Sequence, residues 1–301
     1  MLDPRRLAVL REVAARGSLA KAARALSFTP SAVSQQIAAL EREAKVRLLT
    51  RTPRGVRLTD AGRVLVRRAE AIASELARAQ AALDALATHG GGTLRLGVFP
   101  SVARRLLPGA VERFMTDHAL VDIGVVEQPV ERSMHELRLG ELDLALGYEY
   151  SLVPGPELAA ELQTRTLFSE AMCLVMPVGR ATVDGHRVEL ADLADERWLA
   201  AGAGTSCREA VARACHNAGF QPRVLSACND LELLVSLVAV GMGVALVPAI
   251  AARHLGSRVD VRPLPEGGER RVFVAWGPGG GDNPNVHAFV ELLAELGAPP
   301  A

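Results

Sequence analysis

The sequence predicts an α/β chain in two parts: a small, basic, mainly helical head and a larger acidic body in which strands alternate with helices. Three observations predict it. Residues 1–89 carry 16 Lys and Arg against 8 Asp and Glu, which leaves 18 against 26 for residues 90–301, so a formal net charge of zero conceals a basic head on an acidic body. Apolar residues recur at helical spacing as far as Thr88, and beyond Gly90-Gly91-Gly92 short apolar runs of strand length take over. A length of 301 residues exceeds one ordinary core and suffices for two or three.

In the head, Leu7, Leu10, Val13 and Ala14 form one helical stripe that Gly17 should end. Ser18 caps a short helix, Leu19 to Leu26. Ser27-Phe28-Thr29-Pro30 then gives a turn, an N-cap threonine and a proline in the first helical position, from which a third helix runs from Ser31 to Arg42. Three short helices with a tight turn before the third outline a helix-turn-helix. On that third helix Val33, Ile37 and Leu40 share one stripe, with Ser31, Gln35, Ala38 and Arg42 almost opposite. This outer face is small and polar near its N-terminus, where Thr29, Pro30 and Ser34 also sit, and that suits a major groove in which Gln and Ser hydrogen-bond base edges. Leu48 to Arg51, the turn Thr52-Pro53-Arg54-Gly55 and Val56 to Leu58 read as a two-stranded wing, with Arg51, Arg54 and Arg57 placed for phosphate or the minor groove. Residues 1–60 are therefore expected to be a winged helix-turn-helix that meets double-stranded DNA, its cations neutralising phosphates.

From Thr59 as N-cap, a helix is predicted to about Thr88. Within it Leu65, Ala69, Ile72, Leu76, Ala79, Leu83 and Leu86 alternate in steps of 4 and 3, a heptad seam. A seam without a core of its own requires a partner helix, so residues 61–89 are read as a dimerisation linker.

In the body, residues 90–301, Leu94–Phe99, Val121–Glu127, Leu142–Gly147, Ala171–Met176, Trp198–Ala201, Val244–Val247 and Val272–Trp276 are candidate strands. Helical stretches are expected near 102–117, 131–139, 207–218, 230–241 and 284–297. Such alternation predicts parallel sheets covered by helices, with a ligand at the carboxyl ends of strands. Pro100-Ser101-Val102 opens a helix directly after a strand, and Gly204-Thr205-Ser206 precedes the helix from Cys207; each is either an anion site at a helix N-terminus or an ordinary cap. Tyr148 and Tyr150 flank Glu149 just past a strand and either line the same site or sit in a loop. Asp230 at a helix start, and Glu127 and Pro248 at strand ends, complete the candidate set.

Several function classes are disfavoured. No run of eighteen apolar residues occurs and Met1 to Arg6 has no leader-like apolar block, so no membrane partner is expected and the cytoplasm is the expected location. No nucleophile elbow, metal-ligand cluster or dinucleotide fingerprint appears, which argues against an enzyme, a metal and a cofactor. Cys173, Cys207, Cys215 and Cys228 lack CxxC spacing. Cys207 at a helix start with Cys215 eight residues on keeps thiol-based redox sensing open as an alternative.

Val13-Ala14-Ala15-Arg16-Gly17-Ser18, Lys21 to Leu26, Ser31 to Ile37, Leu40-Glu41 and Arg51 to Gly62 form an ordered series over some fifty residues. That series closely resembles the DNA-binding pattern of the LysR-type transcriptional regulators. Gly140 to Leu146 and Gly241 to Pro248 extend the resemblance over essentially the whole chain. Ala44-Lys45 and Leu49 depart from the pattern beside the wing, where the family often has Leu-Gly and Phe. The resemblance implies a two-lobed effector domain like a periplasmic binding protein, with lobe I at about 93–167 and 272–301 and lobe II at about 168–271. It also implies a homodimer or homotetramer whose operator binding is modulated by a small effector held between the lobes, which the two helix N-termini would make anionic. The peroxide-sensing branch of the family uses a cysteine pair in this region, with a spacing and flanking residues that differ from those here.

Overall fold

In the computed structural model, α1 (Pro4–Arg16) starts at Asp3, whose carboxylate accepts from the Arg5 backbone N–H, and stops at Gly17 with a left-handed φ of 61°. Ser18 caps α2 (Leu19–Ala25), and Thr29 caps α3 (Pro30–Ala44) with a proline in its first turn. The apolar stripes of these helices meet in one core in which Leu10, Val13, Val33 and Leu40 are fully buried. Each such side chain contributes about 1.5–3 kcal/mol relative to exposure. β1 (Leu49–Thr52) and β2 (Gly55–Leu58) pair antiparallel from Leu49 opposite Leu58 to Thr52 opposite Gly55. α4 (Asp60–Ala87) follows, its start held by Thr59 Oγ1, which accepts from the Gly62 N–H at 3.0 Å.

The structure describes residues 2–52, 55–87, 91–155, 162–179, 188–252, 258–277, 280 and 283–297. The chain divides into two compact units, Met1–Leu83 with Arg138–Glu141, and Asp84–Leu137 with Leu142–Ala301.

The second unit contains β3 (Gly92–Val98), α5 (Pro100–Asp117), β4 (Val121–Glu127), α6 (Val130–Arg138), β5 (Leu144–Tyr150) and the fifteen-residue β6 (Gln163–Pro177). After them come β7 (Arg197–Ala200), α7 (Ser206–Asn217), β8 (Arg223–Ala227), α8 (Leu231–Ala239), β9 (Ala245–Pro248) and the single turn α9 (Ala249–Ala252). β10 (Val259–Pro263), β11 (Glu269–Trp276) and α10 (Pro284–Gly297) complete it. The main sheet runs β10-β6-β11-β5-β3-β4 with β9 also on β6, and β7 pairs with β8 separately.

This corrects the expectation of parallel sheets. β3–β4, β3–β5 and β7–β8 are parallel, but β11 runs antiparallel to both β5 and β6, and β6 is antiparallel to β9 and β10. Long β6 makes the difference: residues 163–171 pair with β11, whereas residues 172–177 pair with β9 and β10. The strand thus passes from one apolar core, centred on Leu94, Phe114, Phe273 and Phe289, to a second that holds Trp198, Val211, Cys215 and Leu246. A third cluster, around Val175, Leu234 and Val247, packs α8 on the far side of the second lobe. Gly147 is needed where β5 meets β11, because a Cβ there would lie 2.4 Å from the Phe273 ring.

β8 and β10 are absent from the sequence expectation, since neither carries an apolar run and both alternate between covered and exposed residues. Among the described residues no helix is long and apolar enough to cross a membrane.

Candidate functional site

The head presents the outer face of α3. Ser31, Gln35, Ala38 and Arg42 are exposed, while Val33, Ile37 and Leu40 on the opposite stripe are buried. Thr29 Oγ1 accepts from the Ala32 N–H at 3.2 Å and lies 3.0 Å from Ser31 Oγ, so the two hydroxyls and exposed Pro30 form the leading edge of the helix. Ser34 is half-buried beside them. Gln36, next to Gln35, is tied down instead: its carbonyl oxygen accepts from Arg6 Nε at 3.2 Å. In the hairpin Arg57 is exposed; Arg54 lies outside the described residues, as does the side chain of Arg51.

The seam on α4 divides in two. Ala69 is buried in the head core with Leu65 packed against it, whereas Ile72, Leu76 and Leu83 are 43, 61 and 60% exposed and Ala79 is exposed as well. The structure therefore takes Leu65 and Ala69 out of the free seam, because the first turns of α4 complete the core of the head. The Leu86 side chain lies outside the described residues.

In the second unit the candidate ligand residues separate by what they touch. Val102 is fully buried in the first core, and Pro248 is buried opposite Met172 in the β6–β9 pairing; neither side chain is available to a ligand. The trio 148–150 is divided as well. β5 extends to Tyr150, so the two tyrosines point to one face of the sheet and Glu149 to the other, where it pairs with its cross-strand neighbour Arg271. Gly204, with a left-handed φ of 84°, makes the exposed turn before α7. Glu127 is exposed at the end of β4, and its charge acts on Arg104, which also pairs with Glu232 and lies 3.7 Å from Asp230. Asp230 itself caps α8.

Ser101 and Tyr148 come together around a residue that the sequence expectation omits, Arg270. Its side chain is 1% exposed. Nε and Nη2 donate to Glu170 Oε1 at 3.0 and 2.6 Å, Nη1 donates to Ser101 Oγ at 3.1 Å, and the rings of Phe99 and Tyr148 each lie 5.8 Å from the guanidinium. Glu170 stands opposite Arg270 in the strand register and through Oε2 accepts from the Ile250 N–H of α9 at 2.7 Å. Burial alone would lower the Arg270 pKa, but Tyr150 and Glu170 together raise it, so the cation is kept. Tyr148 interacts with Ser206, and Tyr150 with Cys207. The sequence signal for Arg270 is its phase: it falls two residues before Val272, on the inward face of β11, where a charged residue needs a partner.

The two helix N-termini differ. α7 is capped at one amide, since Thr205 Oγ1 accepts from the Arg208 N–H at 3.2 Å and donates to the Gly202 carbonyl at 2.8 Å, while the Ser206 and Cys207 N–H groups have no acceptor among the described residues. The Thr205 hydroxyl has no proton left for a ligand. α5 has Phe99 as N-cap and no side-chain cap, which leaves the Ser101 and Val102 N–H groups without an acceptor among the described residues.

Cys207 and Cys215 are buried in α7, and burial pushes both thiols up, Cys215 to about 12. Eight residues along an intact helix separate them by about 12 Å, too far for a disulfide.

Comparison with known proteins gives concordant matches. The model of the bacterial regulatory helix-turn-helix protein, lysR family, matches residues 4–63, and that of the LysR substrate binding domain matches residues 87–298. The transcriptional dual regulator GltC of Bacillus subtilis is 29% identical over 261 residues, spanning 87% of this chain and 85% of GltC. The regulator ShiR of Corynebacterium glutamicum is 31% identical over 224 residues, 73% of this chain and 74% of its own. Among solved structures, a full-length OxyR variant from Pseudomonas aeruginosa aligns with a TM-score of 0.58 at 24% identity, covering 99% of this chain and 100% of that one, a likeness of fold.

Proposed function

This chain belongs to the LysR family of bacterial regulators, and from that premise we propose that it is a transcription regulator in which residues 1–60 hold operator DNA, residues 61–89 join two copies and residues 90–301 bind a small anionic effector. The observation that carries the reading is the split of α3 into a buried stripe and an exposed polar face beside a basic hairpin. Gln35 and Ser31 hydrogen-bond base edges, and Arg42, Arg51, Arg54 and Arg57 meet phosphate or the minor groove. The exposed part of the α4 seam, from Ile72 to Leu83, buries against its copy as a homodimer or within a homotetramer. The protein acts on DNA in the cytoplasm by binding, not by catalysis.

The effector site lies at Ser101, whose hydroxyl accepts an N–H from Arg270 and keeps its own proton for a further acceptor, next to the uncapped amides of α5. A carboxylate would satisfy all three donors. The alternative of thiol sensing through Cys207 and Cys215 is opposed by their burial, raised pKa and separation.

The DNA reading is tested by two substitutions. Gln35→Ala should relax base preference at one position by about 1–3 kcal/mol, whereas Arg57→Ala should weaken binding to every sequence and lower the salt slope by about one. The same sequence-independent loss in both would remove Gln35 from base readout.

A further inference from the structure

Glu41 stands out as a carboxylate in the last turn of α3, where the helix dipole opposes it, in a head that must approach a polyanion. It is well engaged nonetheless. Its side chain is 13% exposed, Oε1 accepts from the backbone N–H groups of Leu48 at 2.8 Å and Leu49 at 3.2 Å, and Oε2 lies 3.5 Å from Arg47 Nη1. Leu48 and Leu49 are the last loop residue and the first residue of β1, so one carboxylate joins α3 to the base of the hairpin. The other ties on the hairpin come from elsewhere: Thr59 Oγ1 donates to the Arg47 carbonyl at 2.7 Å, and the Val56 N–H of β2 donates to the Gly17 carbonyl at 3.1 Å. Among the described residues, Glu41 is the side chain of α3 that hydrogen-bonds the hairpin backbone.

We propose that Glu41 is a positioning residue for DNA binding, fixing the hairpin against α3 so that the Gln35 face and the hairpin arginines engage one duplex together. The inference rests on the DNA reading above. A charge that opposes a polyanion where it stands sets the angle between two DNA-contacting elements. Without it the base of β1 loses its acceptor on α3, and the polar ties left among the described residues are those to Thr59 and Gly17, beside the packing of Leu49, Val56 and Leu58 on the head core. One of its cations then no longer reaches phosphate while α3 sits in its groove.

The test uses the full-length protein and a fluorescent random-sequence duplex titrated over a range of salt. Glu41→Ala should lose about tenfold in affinity at low salt and lower the salt slope by about one, matching Arg57→Ala. Glu41→Gln keeps an oxygen that accepts both N–H groups and should retain the wild-type slope and an affinity within about twofold. A merely destabilised head would lower the active fraction and leave the slope alone, so a Glu41→Ala slope equal to wild type overturns the proposal. If Glu41→Ala does not fold, Glu41→Gln decides: a slope lowered by about one would mean that the Arg47 pair, not the two amides, holds the hairpin, and would overturn it too. A wild-type protein without salt-dependent affinity would instead overturn the DNA reading itself.

Discussion

The N-termini of α5 and α7 look equivalent in sequence, each with hydroxyl residues at the start of a helix in the α/β body, and the structure caps them differently. α7 has a side-chain cap: Thr205 accepts from the Arg208 N–H and spends its own proton on the Gly202 carbonyl. α5 has no side-chain cap, with Phe99 at the N-cap and Ser101 Oγ accepting from a buried arginine. A Ser or Thr near a helix start is thus not by itself a ligand group. What distinguishes the two is the hydroxyl: Thr205 already donates to the Gly202 carbonyl, whereas Ser101 accepts from Arg270.

The comparison can be broken most forcefully at Arg270. Arg270→Met would leave Glu170 buried with one remaining partner, at a cost of about 3–5 kcal/mol in stability, read from denaturant unfolding. A loss below about 1 kcal/mol would show that the ion pair does not hold this junction. Next in size is Ser101→Ala. In a thermal-shift screen of small carboxylates and aromatic acids, wild type should give at least one hit, and Ser101→Ala should weaken it by about 1.5–3 kcal/mol, the range of a hydrogen bond to a charged group. Thr205→Val sharpens the contrast: it should cost about 1 kcal/mol of stability through the lost cap and leave that ligand response intact. A hit that survives Ser101→Ala and vanishes with Thr205→Val would reverse the assignment.

The smallest effect is expected at the thiols. With Cys215 pushed up to about 12 and Cys207 likewise raised by burial, neither is a thiolate near neutral pH, so alkylation of the native protein should label half-buried Cys228 first. Peroxide should leave the operator footprint unchanged. A footprint that shifts with peroxide and is blocked by Cys207→Ser would restore thiol sensing.

Legibility in the sequence followed the range of the interactions. The head is written locally: Asp3, Ser18, Thr29 and Gly17 act within a few residues of where they stand, and the stripe Val33, Ile37, Leu40 fixes which face of α3 is outward. The body is written at long range. Arg270 meets Ser101 across 169 residues and Glu170 across 100, and no spacing rule reaches that far. The tyrosines were recognisable as candidates but not their divided company, because the extension of β5 to Tyr150 depends on β11 as a neighbour. On α4 the heptad spacing was plain, but the use of Leu65 and Ala69 by the head core is a tertiary fact that periodicity does not carry.

The central claim, a sequence-reading head on a ligand-binding body, is tested most directly by selection. Full-length protein is mixed with a library of genomic fragments at about 0.15 M salt, where screening leaves only the closer charge contacts, and the bound fragments are sequenced. The account predicts a small set of fragments sharing a near-palindromic site whose half-sites are spaced by whole turns of DNA, with the enrichment reduced by Gln35→Ala. Recovery indistinguishable from random genomic DNA would contradict it.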